Sequence, residues 1–472
     1  MKKTKIVATI GPSSEPPEMI KKLIEAGLNV ARLNFSHGGF DEQGPRIKNF
    51  RAIDPSIGIM LDTQGPELRT LQFEIPDHEY PIKEGDILTI KFEDVLGNEK
   101  QFSMNYKDFY KDAKPGDRVL IDNARIEIRV VEVQGKDVIC KVMNNGVIYS
   151  KRSINLPDSQ VRLPSMSEKD RGDIKFGVER GIDFIAYSFV RNIEDVQKLR
   201  DYLKELNAEH VEVISKIETS QAIENLEEIV KVSDGIMVAR GDLAVEVAME
   251  KVPILQKKMI ELANKHHKFC IVATEMLESM RKNPRPTRAE ISDVANAVFQ
   301  GADATMLSGE TTLGKYPLET VSTMAKIAKE AEISDIEHCT LCKDPRCLAD
   351  CIARNFVSMS NELKLKTLIV PTKTGLSAKV VSRYRPRAKV FALVPNEIIL
   401  RKMSLLYGVE GVLADHSKTM FDLIQEGVTK LVTSGKIDPK EKIGIIGEYK
   451  EATTNAMMFV EAEKLLTRNS KK

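Results

Sequence analysis

The chain has 472 residues, with 70 Lys and Arg against 69 Asp and Glu. That balance excludes the bulk field of a nucleic-acid or anionic-membrane binder, and no apolar run nears the roughly 20 residues of a membrane span. Met1-Lys2-Lys3-Thr4 leads straight into Ile6-Val7-Ala8-Thr9-Ile10, too short and polar-flanked for a signal peptide, so a cytoplasmic globular protein of two or three domains is expected.

Strand followed by helix is the recurring unit. Strand candidates lie at 5–10, 29–34, 57–62, 183–188, 211–217, 235–240, 269–274 and 304–307. Helical patterns cover 18–26, 193–207, 219–232, 255–267, 288–299 and 317–331. Alternating βα units give a parallel sheet with right-handed crossovers, and eight of them predict an α/β fold closed as a (β/α)8 TIM barrel. Between about 70 and 163 the pattern is strands alone, at 86–90, 118–121, 126–132 and 138–142, with Gly and Asn turns. This predicts a small β-barrel lid inserted after the third barrel strand, on the C-terminal face. Further on, strands at 367–370, 389–394, 410–413 and 442–446 alternate with helices at about 376–384, 396–406, 417–434 and 453–466, the pattern of an open α/β domain. The expected organisation is a barrel over 1–69 and 165–334, a lid over 70–164 and a C-terminal α/β domain over 335–472. No further C-terminal domain is expected.

Charge sits where buried strands should carry none. Ile57-Gly58-Ile59-Met60-Leu61-Asp62, Val213-Ile214-Ser215-Lys216-Ile217-Glu218 and Ile236-Met237-Val238-Ala239-Arg240-Gly241-Asp242 are apolar runs that end in ionisable groups. Burying a charge is costly unless it is paired or metal-bound, so charges repeated at strand C-terminal ends mark a candidate active site. Lys216 and Glu218, two apart, face the same way. A lone pair of this kind is more often a surface ion pair, but Asp242 at the end of the next strand could share a divalent cation with Glu218; two carboxylates suit Mg2+. A helical turn opening at Gly241-Asp242-Leu243-Ala244 could hold a substrate carboxylate on its free N–H groups, or Asp242 could simply cap it. Arg32, Asn34 and Ser36 lie on one face past the second strand, and Asp62-Thr63 end the third. Their oxygens suit a hard cation, and Arg32 and Arg69 are forks for phosphate.

Taken together, these stretches resemble the pyruvate kinase family. The matching residues are Asn34-Phe35-Ser36-His37-Gly38, Leu61-Asp62-Thr63-Gln64-Gly65-Pro66-Glu67-Leu68-Arg69-Thr70, Ser215-Lys216-Ile217-Glu218, Met237-Val238-Ala239-Arg240-Gly241-Asp242-Leu243, Ala273-Thr274-Glu275-Met276-Leu277-Glu278-Ser279-Met280, Arg285-Pro286-Thr287-Arg288-Ala289-Glu290 and Met306-Leu307-Ser308-Gly309-Glu310-Thr311. They run through the whole barrel in family order. The resemblance implies phosphoryl transfer from phosphoenolpyruvate to ADP. It implies Glu218 and Asp242 as Mg2+ or Mn2+ ligands, and Lys216 as the cation on the phosphoryl group and the enolate. Arg32 becomes a phosphate clamp, and Asn34, Ser36, Asp62 and the Thr63 carbonyl the K+ site. Asn34, His37, Arg69 and Lys151 become nucleotide contacts. The backbone of Ala239, Arg240, Gly241 and Asp242, with the Thr274 hydroxyl, becomes the carboxylate site, Thr274 lying near the face where the enolate is protonated. Glutamate at Glu67 goes with potassium dependence, and family members are usually homotetramers.

The chain departs from the family pattern at Gln64, Ala244 and Glu275, at the lid turn Asp122-Asn123-Ala124, and at Ser153 and Asp158, which stand where glycines are usual. Lost glycines restrict positive φ, so a lid hinge of different shape is expected. In the third region Thr372-Lys373-Thr374-Gly375-Leu376-Ser377 forms a Ser/Thr/Gly loop before a helix, either an effector-phosphate site or simple capping. Thr453-Thr454-Asn455 resembles part of a second effector loop. Cys140 and Cys270 read as core thiols. Cys339, Cys342, Cys347 and Cys351, beside His338, read as reduced thiols, a metal site or a redox switch. A metal-enolate barrel working without nucleotide and a catalytically silent effector sensor are the alternatives. The lid and Arg69 count against the first, and the intact Lys216, Glu218 and Asp242 against the second.

Overall fold

The computed structural model describes residues 2–75, 78–334, 347–448 and 454–466. Eight parallel strands close into a barrel: Lys5–Thr9, Val30–Asn34, Gly58–Asp62, Phe184–Tyr187, Glu212–Ile217, Gly235–Ala239, Phe269–Ala273 and Ala304–Leu307. All eight were legible as buried apolar runs, within a residue or two at each end. The helix Arg288–Phe299 also starts and stops as expected, because Thr287 and Glu290 form a reciprocal capping box. The expected helix over 219–232 is instead two short helices, Ser220–Glu224 and Leu226–Val232, hinged at Asn225. Three long helices were not read from the sequence: Phe40–Ile53, which contains Pro45, Glu168–Glu179 and Leu348–Glu362.

Side chains alternate across the strands as period two requires. Val213 and Ile217 point out to the helices, whereas Ile214 packs in the interior with Met60, Met237, Phe184 and Phe269. Lys216 shares the inward register of Ile214, which places it one layer above this apolar filling. The same filling continues downward into Leu405, Leu406 and Val409 beneath the barrel.

The inserted segment forms a seven-stranded sheet, with the separate ribbon Tyr80–Ile82 with Gly146–Ile148 beside it. Its two edge strands, Leu68–Arg69 and Gln101–Ser103, meet through a bridge between Thr70 and Met104. Leu71 N–H donates to the Ser103 carbonyl (2.8 Å) and Asn105 N–H to the Arg69 carbonyl (3.1 Å), which rolls the sheet around Leu88, Phe102, Ile128 and Val138.

The C-terminal sheet runs Val409–Leu413, Lys389–Val394, Thr367–Pro371, Lys442–Glu448, Thr454–Glu461. The last is a correction: 453–466 read as a helix, but Thr454–Glu461 pairs antiparallel with Lys442–Glu448 and ends in a 3-10 turn, Ala462–Leu465. An edge strand buries only part of each face, so its apolar residues do not alternate cleanly, and Ala456-Met457-Met458 imitates a helical stripe. The helix Leu348–Glu362 packs across this sheet, with Phe356 against Phe459 at 5.6 Å. Cys140 and Cys270 are fully buried, and burial pushes both thiols up. Cys347 is exposed and Cys351 half-buried; Cys339 and Cys342 lie outside the described residues. Among the described residues no cluster of three or more His, Cys, Asp or Glu is placed to hold a metal, and no helix is long and apolar enough to cross a membrane.

The C-terminal unit docks on the barrel floor through charges at strand N-terminal ends. Arg401 Nε lies 2.6 Å from Asp183 Oδ1, whose other oxygen takes Arg51 at 2.6 Å. Arg385 pairs with Asp303 at 2.8 Å and Lys379 with Glu212 at 2.7 Å. Gly58 is part of this contact: a Cβ there would lie 2.3 Å from Ser404 Oγ and 2.8 Å from Phe184. Gly58→Ala is therefore expected to lower the unfolding free energy by about 1–3 kcal/mol. Urea unfolding checks it, and an unchanged midpoint would contradict this packing.

Candidate active site

Three carboxylates and two cations converge at the barrel mouth. Strand pairing sets Asn34 beside Asp62 and Lys216 beside Met237. Asp62 is 1% exposed, Lys216 9% and Glu218 0%. Arg32 Nε donates to Asp62 Oδ2 at 2.7 Å and its Nη1 to Thr9 Oγ1 at 2.7 Å. Lys216 Nζ sits 3.2 Å from Asp62 Oδ1 and 2.8 Å from Glu218 Oε1, and donates to Ser188 Oγ at 2.8 Å. Ser188 Oγ donates in turn to the Thr63 carbonyl at 2.6 Å. Phe189, at φ 54°, gives its N–H to Glu218 Oε2 at 2.8 Å. Ser188 and Phe189 were missed in the sequence; their one signal is their place just past the fourth strand.

Burial is the largest single influence on each group; neighbouring charges overturn it at Asp62 and Lys216 but not at Glu218. For Asp62, burial would raise the carboxyl, but Arg32 and then Lys216 outweigh it and hold it below the usual range. Burial would lower Lys216, yet Asp62, Glu218 and Asp242 hold it above an ordinary lysine. Burial, reinforced by Asp242, raises Glu218 against the pull of Lys216. Among the described residues Glu218 Oε1 meets only the Lys216 ammonium, at 2.8 Å. A buried carboxylate oxygen left in that state fits a cation ligand.

The helix Arg240–Glu246 opens directly after the sixth strand, as the turn at Gly241-Asp242 suggested. Its cap is Ala239, so Asp242 is not the cap; it stands in the first turn, exposed, where the helix end favours an anion. Arg240 turns its guanidinium away from the cluster onto Asp293 (2.7 Å), leaving only its backbone at the site. Thr274, one residue beyond its strand, holds φ 68°, and Thr274 Oγ1 accepts the Gly241 N–H at 2.9 Å. At the second strand's end Asn34 Oδ1 accepts the Ser36 N–H at 3.1 Å, and the exposed His37 gives its carbonyl to Gln43 Nε2 at 3.0 Å.

The lid faces this cluster. Asn155 Nδ2 donates to Glu246 Oε1 at 2.8 Å, across a cavity of about 90 Å³ lined by Glu67, Phe189 and Asp242. Arg69 is already engaged: its fork takes both Glu67 oxygens (3.0 and 2.6 Å) and the carbonyl of Lys151, itself at φ 60°. Of the departing lid residues, Asp122, Asn123 and Ala124 all hold positive φ, between 53° and 61°, without a glycine. Ser153 and Asp158 do not occupy that region. Ser153 gives its carbonyl to the Asp122 N–H (2.9 Å) and its Oγ to the Asn123 N–H (3.2 Å). Asp158 takes the Arg118 fork at 2.8 Å on each oxygen.

Far from the mouth, Thr372 Oγ1 accepts the Gly375 N–H at 3.0 Å, which closes the loop, but Gly375 is the cap of the helix Leu376–Arg383 and no side chain caps that helix. Thr372, Lys373, Thr374 and Ser377 also line a cavity of about 930 Å³ with Lys268, Lys379, His416 and Lys418. Thr453 lies outside the described residues, and Thr454 and Asn455 open the last strand.

The family description "Pyruvate kinase, barrel domain" matches residues 1–321, and "Pyruvate kinase, alpha/beta domain" matches 350–460. The chain is similar to a pyruvate kinase of Bacillus licheniformis, 41% identical over 97% of this chain and 80% of the relative. It is similar to one of Clostridium acetobutylicum, 42% identical over 93% and 94%. A crystal structure of a pyruvate kinase from Cryptosporidium parvum superposes with a TM-score of 0.91 at 35% identity, covering 98% of this chain and 96% of that one.

Asp62 is the hub on which both cations of the cluster rest. Asp62→Asn is expected to cost about 3 kcal/mol of stability, because it leaves buried charge uncompensated. Equilibrium unfolding at neutral pH measures this, and a loss below about 0.5 kcal/mol would contradict the pairing.

Proposed function

The chain belongs to the pyruvate kinase family and moves the phosphoryl group of phosphoenolpyruvate to ADP, giving pyruvate and ATP in the last step of glycolysis; we propose that the buried cluster around Lys216 carries out this transfer. The observation behind the proposal is the lysine held charged at 2.8 Å from a fully buried, under-bonded Glu218.

Phosphoryl transfer asks for alignment and charge neutralisation more than covalent help. The bond from phosphorus to the enol oxygen breaks, and a bond forms to a terminal oxygen of ADP. The enolate left behind takes a proton on its methylene carbon and becomes pyruvate. Lys216 stands where charge develops on both the phosphoryl oxygens and the enolate. Arg32, fixed by Asp62 and Thr9, clamps the phosphate; among the described residues its Nη2 donates no hydrogen bond, which leaves that end of the fork for substrate. Backbone from Ala239 to Asp242 and the Thr274 hydroxyl receive the substrate carboxylate, Thr274 on the side where the enolate is protonated. Asn34, His37, Arg69 and Lys151 serve the nucleotide phosphates, Arg69 exchanging Glu67 for them. Residues 70–164, together with the edge strand Leu68–Arg69 that pairs into their sheet, act as the lid, with the rest of 1–69 and 165–334 as the barrel and 335–472 as the C-terminal domain; lid closure keeps water from the phosphoryl group.

The family needs a divalent cation and potassium. Glu218 and Asp242 would hold Mg2+ or Mn2+, which supplies charge neutralisation on the phosphoryl oxygens. Asn34, Ser36, Asp62 and the Thr63 carbonyl would hold K+. The proposal extends to assembly and control. The edge strand Thr454–Glu461, with Met457 and Met458 exposed, and the exposed Met249, Ile254 and Leu313 supply surfaces for a homotetramer. The cavity lined by Thr372, Lys373, Thr374 and Ser377 with Lys268, Lys379 and Lys418, next to Gly375, suits a phosphorylated effector. We place the enzyme in the cytoplasm.

Lys216→Met is expected to keep Mn2+ binding, read by water-proton relaxation, and to lose about 100- to 1000-fold in pyruvate formation. Glu218→Gln is expected to lose Mn2+ affinity as well. Normal turnover in Lys216→Met would sink the assignment.

A further inference from the structure

The turn that carries Thr274 is left-handed at two successive residues, Thr274 (φ 68°) and Glu275 (φ 53°). Neither is glycine, and Thr274 is β-branched, so the turn is strained and must be held by its surroundings. Two acidic residues with no part in the cluster hold it from opposite sides. On one side, Asp293 of the helix Arg288–Phe299 takes Arg240 Nη1 at 2.8 and 2.7 Å. That fixes a guanidinium whose Nε donates to the Ala273 carbonyl (3.2 Å) and whose Nη2 donates to the Thr274 carbonyl (2.5 Å). On the other, the fully buried Glu310 accepts the Leu277 N–H at 3.0 Å through Oε1 and the Ser308 N–H at 2.7 Å through Oε2. It thereby ties the far end of the turn to the end of the eighth strand. Between the two clamps, Thr274 Oγ1 accepts the Gly241 N–H at 2.9 Å and donates to the Ala273 carbonyl at 2.6 Å, a bond that substrate would replace.

We propose that Asp293, acting through Arg240, and Glu310 are positioning residues that hold the left-handed Thr274–Glu275 turn and so aim the Thr274 hydroxyl at the substrate. The inference rests on the reading of Thr274 as a substrate-facing group. It explains why Arg240 points its side chain away from the active site: the guanidinium shapes the neighbouring strand end while the backbone of the same residue serves the site. A displacement of about 1 Å in such a group can cost on the order of 100-fold in rate.

The test is steady-state kinetics on the intact enzyme with phosphoenolpyruvate and ADP varied separately. Asp293→Ala is expected to lower kcat/KM for phosphoenolpyruvate by about 10- to 100-fold while the KM for ADP stays within about twofold. Adding Glu275→Gly, which takes positive φ without strain, is expected to restore at least about threefold of that loss. A role in stability alone leaves kcat/KM per folded enzyme unchanged in Asp293→Ala, with nothing for glycine to restore. Asp293→Asn carries the same test if the alanine variant does not fold. The proposal is overturned if kcat/KM per folded enzyme is unchanged in Asp293→Ala and Asp293→Asn, or if Glu275→Gly restores nothing. Thr274→Ala separates the two layers. If it turns over normally, the reading of Thr274 fails and the clamp with it. If it is slow while the Asp293 variants are normal, only the clamp fails.

Discussion

Everything at the barrel mouth follows from the cost of keeping Asp62, Lys216, Glu218 and Arg32 out of water. A single charge at that depth would neutralise itself or unfold the strand end. Here each is compensated: Asp62 by two cations, Lys216 by two carboxylates and a hydroxyl, Arg32 by Asp62 and Thr9. Glu218 Oε1 meets the Lys216 ammonium and no further partner among the described residues, and its spare lone pair gives the cluster a use. Nearly balanced charges in a dry cradle are pre-organised to accept a metal and an anionic substrate without rearranging.

The barrel uses its two rims differently. Carboxylates at the strand N-terminal ends are matched by cations of the C-terminal unit: Asp183 by Arg401, Glu212 by Lys379 and Lys402, and Asp303 by Arg385. Asp62 and Glu218 at the C-terminal ends are matched instead by cations of the barrel itself, Arg32 and Lys216. The C-terminal unit is thus locked to the barrel through the floor, and the apolar filling runs on into it. A ligand in the basic cavity beside Lys268 and Lys379 would touch both units.

The barrel was legible because each parallel strand is buried on both faces and reads as an unbroken apolar run. The chemistry was legible because ionisable residues at the ends of such runs break a physical rule. The same rule is broken at the floor, where Asp183 and Asp303 precede their strands; sequence cannot tell docking from catalysis without the partner side chains. Ser188 and Phe189 were hidden because neither residue type is unusual after a strand. The strand at Thr454–Glu461 was hidden because an exposed edge imposes little alternation. The lid's left-handed Asp122-Asn123-Ala124 was readable as a departure, but not that the loop would hold its shape through Ser153.

The central claim is that this cluster of charges and oxygens, with its potassium ligands at Asn34, Ser36, Asp62 and Thr63, performs phosphoryl transfer. Pyruvate release from phosphoenolpyruvate and ADP with Mg2+, run with and without K+, tests it most directly. Turnover that depends on K+ is the result predicted. No turnover in either buffer, with the protein folded and Mg2+ saturating, would contradict it.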